Sequence, residues 1–208
     1  MKKINQLIFL LLTLSLSTSA CAVKTQSFRG NQEFSNRSFE EMSVNGNTRF
    51  KNVQISTATI SGDVLFDDIE VRRTLDVKGN IAGVKGNFYK LHAIGNTNLT
   101  NVRVEYLDIT GPTILKNSVA PNVDIIGSLE ATNSTLGTIR ADTSSITLSE
   151  SKAGTIRIKN DNNYTNQKLI LNNSSAKEVI FESGNGQIYV IGNAEIIGRV
   201  IGATVIKE

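Results

Sequence analysis

The chain has 208 residues, of which 39% are hydrophobic and 20% charged, and its formal net charge is +3 at pH 7. This length suits one domain. Only two prolines and no tryptophan occur, whereas glycine, asparagine, threonine, isoleucine and valine are frequent, which favours strands and turns over helices. The positive excess is too small and too dispersed for a nucleic-acid-binding face, so the composition argues against nucleic-acid partners.

The N-terminal segment has the features of a secretory signal peptide, which we predict to cover residues 1–20. Lys2 and Lys3 form a basic start, residues 7–16 are apolar ("LIFLLLTLSL"), and small residues follow in "STSAC". The apolar stretch is shorter than the ~20 residues that span a bilayer, so we interpret it as a cleaved leader. Its removal leaves 20 basic and 19 acidic residues.

Cys21 is the only cysteine and lies at the predicted cleavage site. A single thiol in an exported protein cannot form an intramolecular disulfide, so its position needs another explanation. Ser19, Ala20 and Cys21 resemble the lipobox of bacterial lipoproteins, whose cysteine becomes the lipidated first residue. Because Ala22 rather than aspartate follows it, the resemblance implies an outer-membrane lipoprotein. The alternative is ordinary cleavage after the triplet "ACA", which would give a secreted or periplasmic protein.

A repeat of about 16 residues begins near residue 42. Its glycines are separated by 16, 17, 16, 16 and 16 residues, and they are Gly46, Gly62, Gly79, Gly95, Gly111 and Gly127. The preceding residues 21–41 lack the pattern and are predicted to form a polar tether or an N-terminal cap. Beyond Gly127 the frame continues with substitutions in "IRADT", "IRIKN" and "VIFES". A fixed period of this kind indicates a solenoid, in which each repeat buries its apolar side against its neighbours.

Apolar residues hold fixed positions in each repeat and alternate with polar ones, which is the signature of strands. They lie four and two residues before each glycine, and four and nine residues after it. Around Gly111 these positions are Leu107, Ile109, Leu115 and Ala120. We therefore predict an all-β fold, a single-stranded parallel β-helix or β-solenoid with ~16-residue turns and about ten turns, over residues 42–208.

A polar residue six positions after each glycine is predicted to form a stacked corner. In successive repeats it is Asn52, Asp68, Lys85, Asn101, Asn117 and Asn133. Asparagine tolerates left-handed backbone, and its amide can bond the equivalent amide one turn away. The 17-residue spacing precedes Lys85, where the register can slip to Asn87.

Two runs carry a family resemblance. "LDVKGNIAG" (residues 75–83) and "VDIIGSLEA" (residues 123–131) are similar to the short glycine-punctuated repeats of bactofilins, which are bacterial β-helical proteins that polymerise. The resemblance covers about residues 42–160 and rests on the solenoid period. It implies the same architecture and self-association, but it carries no functional residues over to this chain.

One outward column is the sharpest candidate for a ligand or cation site. It contains Asp76, His92, Asp108 and Asp124, each three residues before a glycine. Carboxylates flanking the only histidine could bind a divalent cation or exchange protons. The alternative is a solvated surface, on which Arg140 offsets Asp124 as a cross-strand ion pair worth about 0.2–1 kcal/mol.

Two further segments are candidates for binding. The insertion "NDNNYTNQK" (residues 160–168) interrupts the repeat and carries Tyr164, which could contact a ligand from a protruding loop or could be merely solvated. The run "IYVIGNAEIIGRVIGATVIK" (residues 188–207) has apolar residues on both faces of its strands. Either this end docks on a partner or a second copy, or the chain folds over its last turn as a cap.

The sequence lacks the motifs of common catalytic sites, such as a G-x-S-x-G elbow or a phosphate-binding loop with its lysine. We expect a non-enzymatic exported envelope lipoprotein whose rigid β-solenoid serves as an adhesion, assembly or binding scaffold, with no cofactor. One alternative is a bactofilin-like self-polymerising structural protein. Another is a β-helical carbohydrate-binding or carbohydrate-active protein, and the expected partners are accordingly an envelope protein, a polysaccharide or a second copy.

Overall fold

The computed structural model describes residues 25–160, 164 and 166–208, so the predicted signal peptide and Cys21 lie outside the described residues. The strands in these ranges join into one sheet of 18 strands, and every strand pair is parallel. All regular elements there are β-strands, and none of the described residues forms a helix long and apolar enough to cross a bilayer. The predicted all-β class is confirmed.

The strands follow one another along the solenoid axis. The first six are β1 (Gln26–Arg29), β2 (Gln32–Asn45), β3 (Thr48–Ser61), β4 (Val64–Lys78), β5 (Ile81–Ile94) and β6 (Thr97–Thr110). The next six are β7 (Thr113–Lys116), β8 (Val119–Ile126), β9 (Leu129–Thr132), β10 (Thr135–Asp142), β11 (Ser145–Ser149) and β12 (Lys152–Ile158). The last six are β13 (Lys168–Asn172), β14 (Ser175–Phe181), β15 (Gly186–Ile191), β16 (Glu195–Ile196), β17 (Val200–Ile201) and β18 (Ala203–Lys207).

Each turn has three walls, and one turn serves to define them. Wall A comprises residues 97–100 and their equivalents, wall B residues 102–105 and wall C residues 107–110. A glycine corner joins wall C to the next wall A, an asparagine corner joins A to B, and a third corner joins B to C. About 11 turns of roughly 16 residues stack in this way, because each strand pairs with the strand of the next turn.

The solenoid begins earlier than the sequence analysis placed it. Strand β1 pairs with residues 42–45, and β2 pairs along its length with β3, so residues 26–41 form turns rather than a tether. Gly30, Phe34, Asn36 and Phe39 keep the spacings of the repeat. The predicted boundary at residue 42 was wrong because one repeat at the start of the series was overlooked.

The interior of the solenoid is a continuous column of apolar side chains. The four positions predicted from the repeat are buried, with Leu107, Ile109, Leu115 and Ala120 each 1% exposed. Full burial of a leucine or isoleucine side chain contributes about 1.5–3 kcal/mol relative to exposure. Since equivalent residues of neighbouring turns lie in register, the core runs without interruption along the axis.

The glycine corner requires glycine for two reasons. At Gly111 the angle φ is +140°, a region that side chains disfavour. A Cβ there would also overlap the carbonyl oxygen of Gly95 in the preceding turn. The corner packs backbone directly on backbone, so the repeat of glycines follows from the spacing between turns.

The asparagine corner is left-handed in every turn for which the repeat predicts it. Asn117 has a φ of 50°, and Lys85 has a φ of 57°, so the suggested slip to Asn87 does not occur. Two pairs of successive asparagines form the predicted amide contact: Asn52 Nδ2 donates to Asn36 Oδ1 at 2.7 Å, and Asn133 Nδ2 donates to Asn117 Oδ1 at 2.8 Å. The extra residue of the 17-residue unit lies instead at the third corner, in the register shift between Val71 and Thr74.

From β7 onwards a buried serine follows the left-handed residue and replaces the backbone ladder there. Ser118 N–H donates to Ser134 Oγ at 3.1 Å, and Ser134 N–H donates to Ser151 Oγ at 3.0 Å. Ser151 N–H in turn donates to Ser174 Oγ at 2.9 Å. This serine ladder explains why the later strands are short: the strand pairing is interrupted where side-chain oxygens accept the backbone N–H groups.

Candidate functional site

The predicted acidic column lies on the outer surface of wall C. Asp76 pairs in register with His92, His92 with Asp108, and Asp108 with Asp124. Alternate residues of a strand point to opposite faces, so these side chains face outward while their neighbours fill the core. The structure thus brings together all four residues that the repeat aligned.

The side chains of this column form pairs rather than one converging group. His92 Nδ1 lies 3.1 Å from Asp108 Oδ2, within ion-pair range, although the buried Nδ1 atom makes no hydrogen bond to any described residue. Asp124 Oδ1 lies 3.4 Å from Arg140 Nη1, as the ion-pair alternative predicts. Exposed pairs of this kind contribute about 0–1 kcal/mol each.

The column does not have the geometry of a metal centre. Within the described ranges, no three His, Cys, Asp or Glu side chains come together so that they could hold an ion. Stacked turns separate successive carboxylates, and Arg140 occupies the position after Asp124. A role for Asp76, His92 and Asp108 in binding a cation or another ligand stays a prediction.

The insertion around Tyr164 replaces a glycine corner. Ile158 pairs with Phe181 on wall C, and Lys168 pairs with Ser145 on wall A, so residues 159–167 connect these two walls. Tyr164 is partly buried, but its neighbours 161–163 and 165 lie outside the described residues.

The buried side chain of Gln167 anchors the end of this insertion. Its Nε2 atom donates to the carbonyl oxygens of Lys159 at 2.7 Å and of Thr143 at 3.1 Å. The amide thereby ties both ends of the insertion to the preceding turn. The predicted binding role of Tyr164 stays a prediction.

The C-terminal segment forms the last turn itself and does not fold across it. Strand β16 pairs with β14 on wall B, β17 pairs with β14 on wall C, and β18 pairs with β15 on wall A. Val205 follows Ile188 in the core column yet is 40% exposed, and Ile201 and Ile197 are 44% and 69% exposed. Residues 194–207 therefore form one more turn, which packs Ile196 and Val200 against the core and leaves its outer side exposed. Whether this end serves as a cap or docks on a partner stays a prediction.

A groove at the third corner was missed by the sequence analysis. We call it the tyrosine groove: it has a volume of about 460 Å³ and is lined by Glu70, Val71, Arg72, Asn87, Phe88, Tyr89, Arg103, Glu105 and Tyr106. The rings of Tyr89 and Tyr106 lie 5.4 Å apart at 67°, and the two residues are 54% and 43% exposed. Two adjacent exposed aromatic rings on a polar surface mark the groove in the structure, whereas the repeat of the sequence does not align Tyr89 with Tyr106.

A second groove of about 510 Å³ follows the glycine corners of the first turns. Its polar floor is the residue after each glycine: Asp63 N–H donates to Asn47 Oδ1 at 2.9 Å, and Asn80 N–H donates to Asp63 Oδ1 at 2.8 Å. These groups already satisfy one another from turn to turn. The groove is therefore a consequence of stacking rather than a surface with free hydrogen-bonding groups.

Comparison with known proteins gives no relative. No family model, no curated protein and no solved structure matches this chain. The resemblance to bactofilins thus has no support from a family match, and what the structure establishes is the coarser statement that the chain is a parallel β-solenoid.

Proposed function

We propose that this chain is a non-enzymatic exported envelope lipoprotein whose β-solenoid is a rigid scaffold for adhesion, assembly or binding. The observation that supports it most is the stack of about 11 parallel-paired turns around a single core. At ~4.8 Å per turn the body is about 50 Å long, with three elongated faces. Such a body presents a large, rigid surface to a partner.

The anchor is tested by metabolic labelling with a palmitate analogue, followed by fractionation of the envelope. We expect the wild-type chain to take up the label and to sediment with membranes, and Cys21→Ala to do neither. Digestion of intact cells with protease then reports whether the body faces the outside. Equal labelling and equal membrane retention of the Cys21→Ala chain would end the lipoprotein proposal.

The open last turn favours self-association as a second candidate function. Its exposed residues Ile197, Ile201 and Val205 lie beside a strand edge that pairs with no described strand on its outer side. An unpaired edge and an uncovered core are a template for another chain. Because the first turn has the same three walls, a second copy could continue the stack.

Sedimentation velocity of the detergent-solubilised full chain tests this candidate. We expect a concentration-dependent oligomer that Val205→Lys dissociates, since the lysine would place a charge at the end of the core. Ile126→Lys, at a 52% exposed position on the side of wall C, is the matched control and should sediment like wild type. A monomer at all concentrations would remove the candidate.

A further inference from the structure

We propose that the tyrosine groove binds an acidic polysaccharide, whose sugar rings pack against Tyr89 and Tyr106 and whose carboxylates pair with Arg103. The proposal names a ligand class for the binding scaffold and therefore rests on the proposed non-enzymatic binding function. It assigns the ligand from the shape, the free polar groups and the charge of the groove.

The two tyrosines supply apolar surface that a sugar ring can cover. They project from adjacent turns at the third corner, and their rings are arranged edge to face. A pyranose ring has apolar C–H faces and a polar edge, so it packs on an aromatic ring while its hydroxyls stay free for hydrogen bonds. A tyrosine suits such a contact because its ring is apolar and its hydroxyl can form a hydrogen bond at the edge of the contact.

Polar groups beside the rings are available for such hydrogen bonds. Arg103 and Asn87 are exposed, and no hydrogen bond or ion pair joins either side chain to another described residue. Arg72 is committed elsewhere, since its Nη2 donates to Gln54 Oε1 at 3.0 Å and its Nε lies 3.7 Å from Glu70 Oε1. Arg103 is thus the free guanidinium of the groove, with a planar fork that matches a carboxylate.

The charge around the groove favours an acidic over a neutral ligand. Glu70 is offset by Arg72, which leaves one further carboxylate, Glu105, and one further guanidinium, Arg103, among the residues that line the groove. Exposed Arg73 and Lys90 lie in the same region of the third corner and add two positive charges. A carboxylated sugar polymer would therefore find a local positive excess at this corner.

The local backbone explains why the groove occurs at these turns. The register shift between Val71 and Thr74 adds one residue to the third corner just before the tyrosines. A bulge of this kind re-aims side chains and bends the strand. In the following turns the same corner carries Pro121 and Gly137, which have no long side chain to project from it, and a Cβ at Gly137 would overlap the carbonyl oxygen of Pro121.

The test measures binding of the purified full chain to polygalacturonate, alginate and hyaluronate by affinity electrophoresis and titration calorimetry. Each polymer is compared with a form whose carboxylates are methyl-esterified. We expect retardation by at least one acidic polymer, at least tenfold weaker binding by its ester, and weakening with salt. Tyr89→Ala combined with Tyr106→Ala should weaken binding at least tenfold, and so should Arg103→Gln.

The matched control is Tyr189→Ala, which removes an outward tyrosine from wall A, away from the groove. It should bind like wild type, and thermal melting confirms that each variant is folded. Binding to none of the three acidic polymers, equal binding of the esters, or full binding by the double tyrosine variant would overturn the proposal. Shortening of the polymer, measured as new reducing ends, would instead contradict the non-enzymatic function.

Discussion

Gly111 and Asp108 are three residues apart, and the structure gives them opposite tolerance to substitution. We predict that Gly111→Val lowers the free energy of unfolding by about 3 kcal/mol or more, because it adds strain at positive φ and overlap with the backbone of Gly95. Asp108→Asn should change it by less than about 0.5 kcal/mol, because its contact with His92 is at the surface. Urea unfolding of the purified variants measures both values.

Asp108→Asn serves as the control for this pair, since it alters the same turn without touching the corner. Similar stability of the two variants would contradict the register on which the glycine corner rests. A large loss in Asp108→Asn would show instead that the contact with His92 contributes more than an exposed pair does.

We also predict that divalent cations leave the melting temperature of the protein unchanged, because the acidic column does not bind them. Its four members are spread over four turns, and Arg140 neutralises Asp124, so no ion finds several carboxylates at once. The melting temperature should be the same with millimolar calcium, with zinc and with chelator. A cation-dependent rise that disappears in Asp108→Asn would contradict this and restore the column as a cation site.

The residues of the candidate site differ in how far the sequence could predict them. The acidic column was predictable because its members are 16 residues apart and share one place in the repeat. Tyr89 and Tyr106 are 17 residues apart within a 16-residue turn, so they fall into neighbouring columns and no period aligns them. Their contact depends on ring orientation at a corner, which the repeat does not specify.

At the scale of elements, the serine ladder stabilises the later turns, and the sequence does not distinguish its buried serines from exposed polar residues. We predict that Ser134→Ala lowers the free energy of unfolding by about 1–3 kcal/mol, because the buried Ser118 N–H loses its acceptor and the carbonyl of Thr132 loses a donor. The effect should appear in thermal or urea unfolding.

Ser35→Ala is the matched control, because this serine is exposed on β2 and makes no side-chain hydrogen bond within the described residues. It should be neutral within about 0.5 kcal/mol. Equal effects of the two substitutions would mean that water replaces the buried hydroxyl and that the ladder does not stabilise the later turns.

The strands themselves were predictable wherever each turn repeats the same spacing. Strands β3 to β6 contain the alternation that places Leu107 and Ile109 inside, and the asparagine corners follow from one residue type at one position. The position of the extra residue is also contained in the apolar columns, because three residues separate Val71 from Leu75 whereas two separate Val104 from Leu107. The register shift between Val71 and Thr74 confirms that it lies at the third corner.

At the scale of the whole molecule, the two ends of the solenoid differ in how they close the core. Near the N-terminus the rings of Phe28, Phe34 and Phe39 pack edge to face, with centroids 4.9 Å apart for the first two and 5.0 Å apart for the last two. Phe34 and Phe39 are only 3% and 6% exposed although they belong to an end turn. At the other end small and aliphatic residues leave Val205 40% exposed.

In a solenoid each turn contacts only its neighbours, so stability is a sum of local terms and the ends open first. We therefore predict that amide hydrogen exchange is fastest in residues 194–207, slower in residues 32–45, and slowest in the central turns.

Phe39→Ala should raise exchange in residues 32–61 and leave residues 168–191 unchanged, because the lost packing is confined to the first turns. Ile201→Ala, at a 44% exposed position, is the control and should change little in the first turns. Uniform exchange along the chain, or faster exchange everywhere in Phe39→Ala, would mean that the solenoid unfolds as one unit. The C-terminal turn would then be no less stable than the rest, and a partner would not stabilise it in particular.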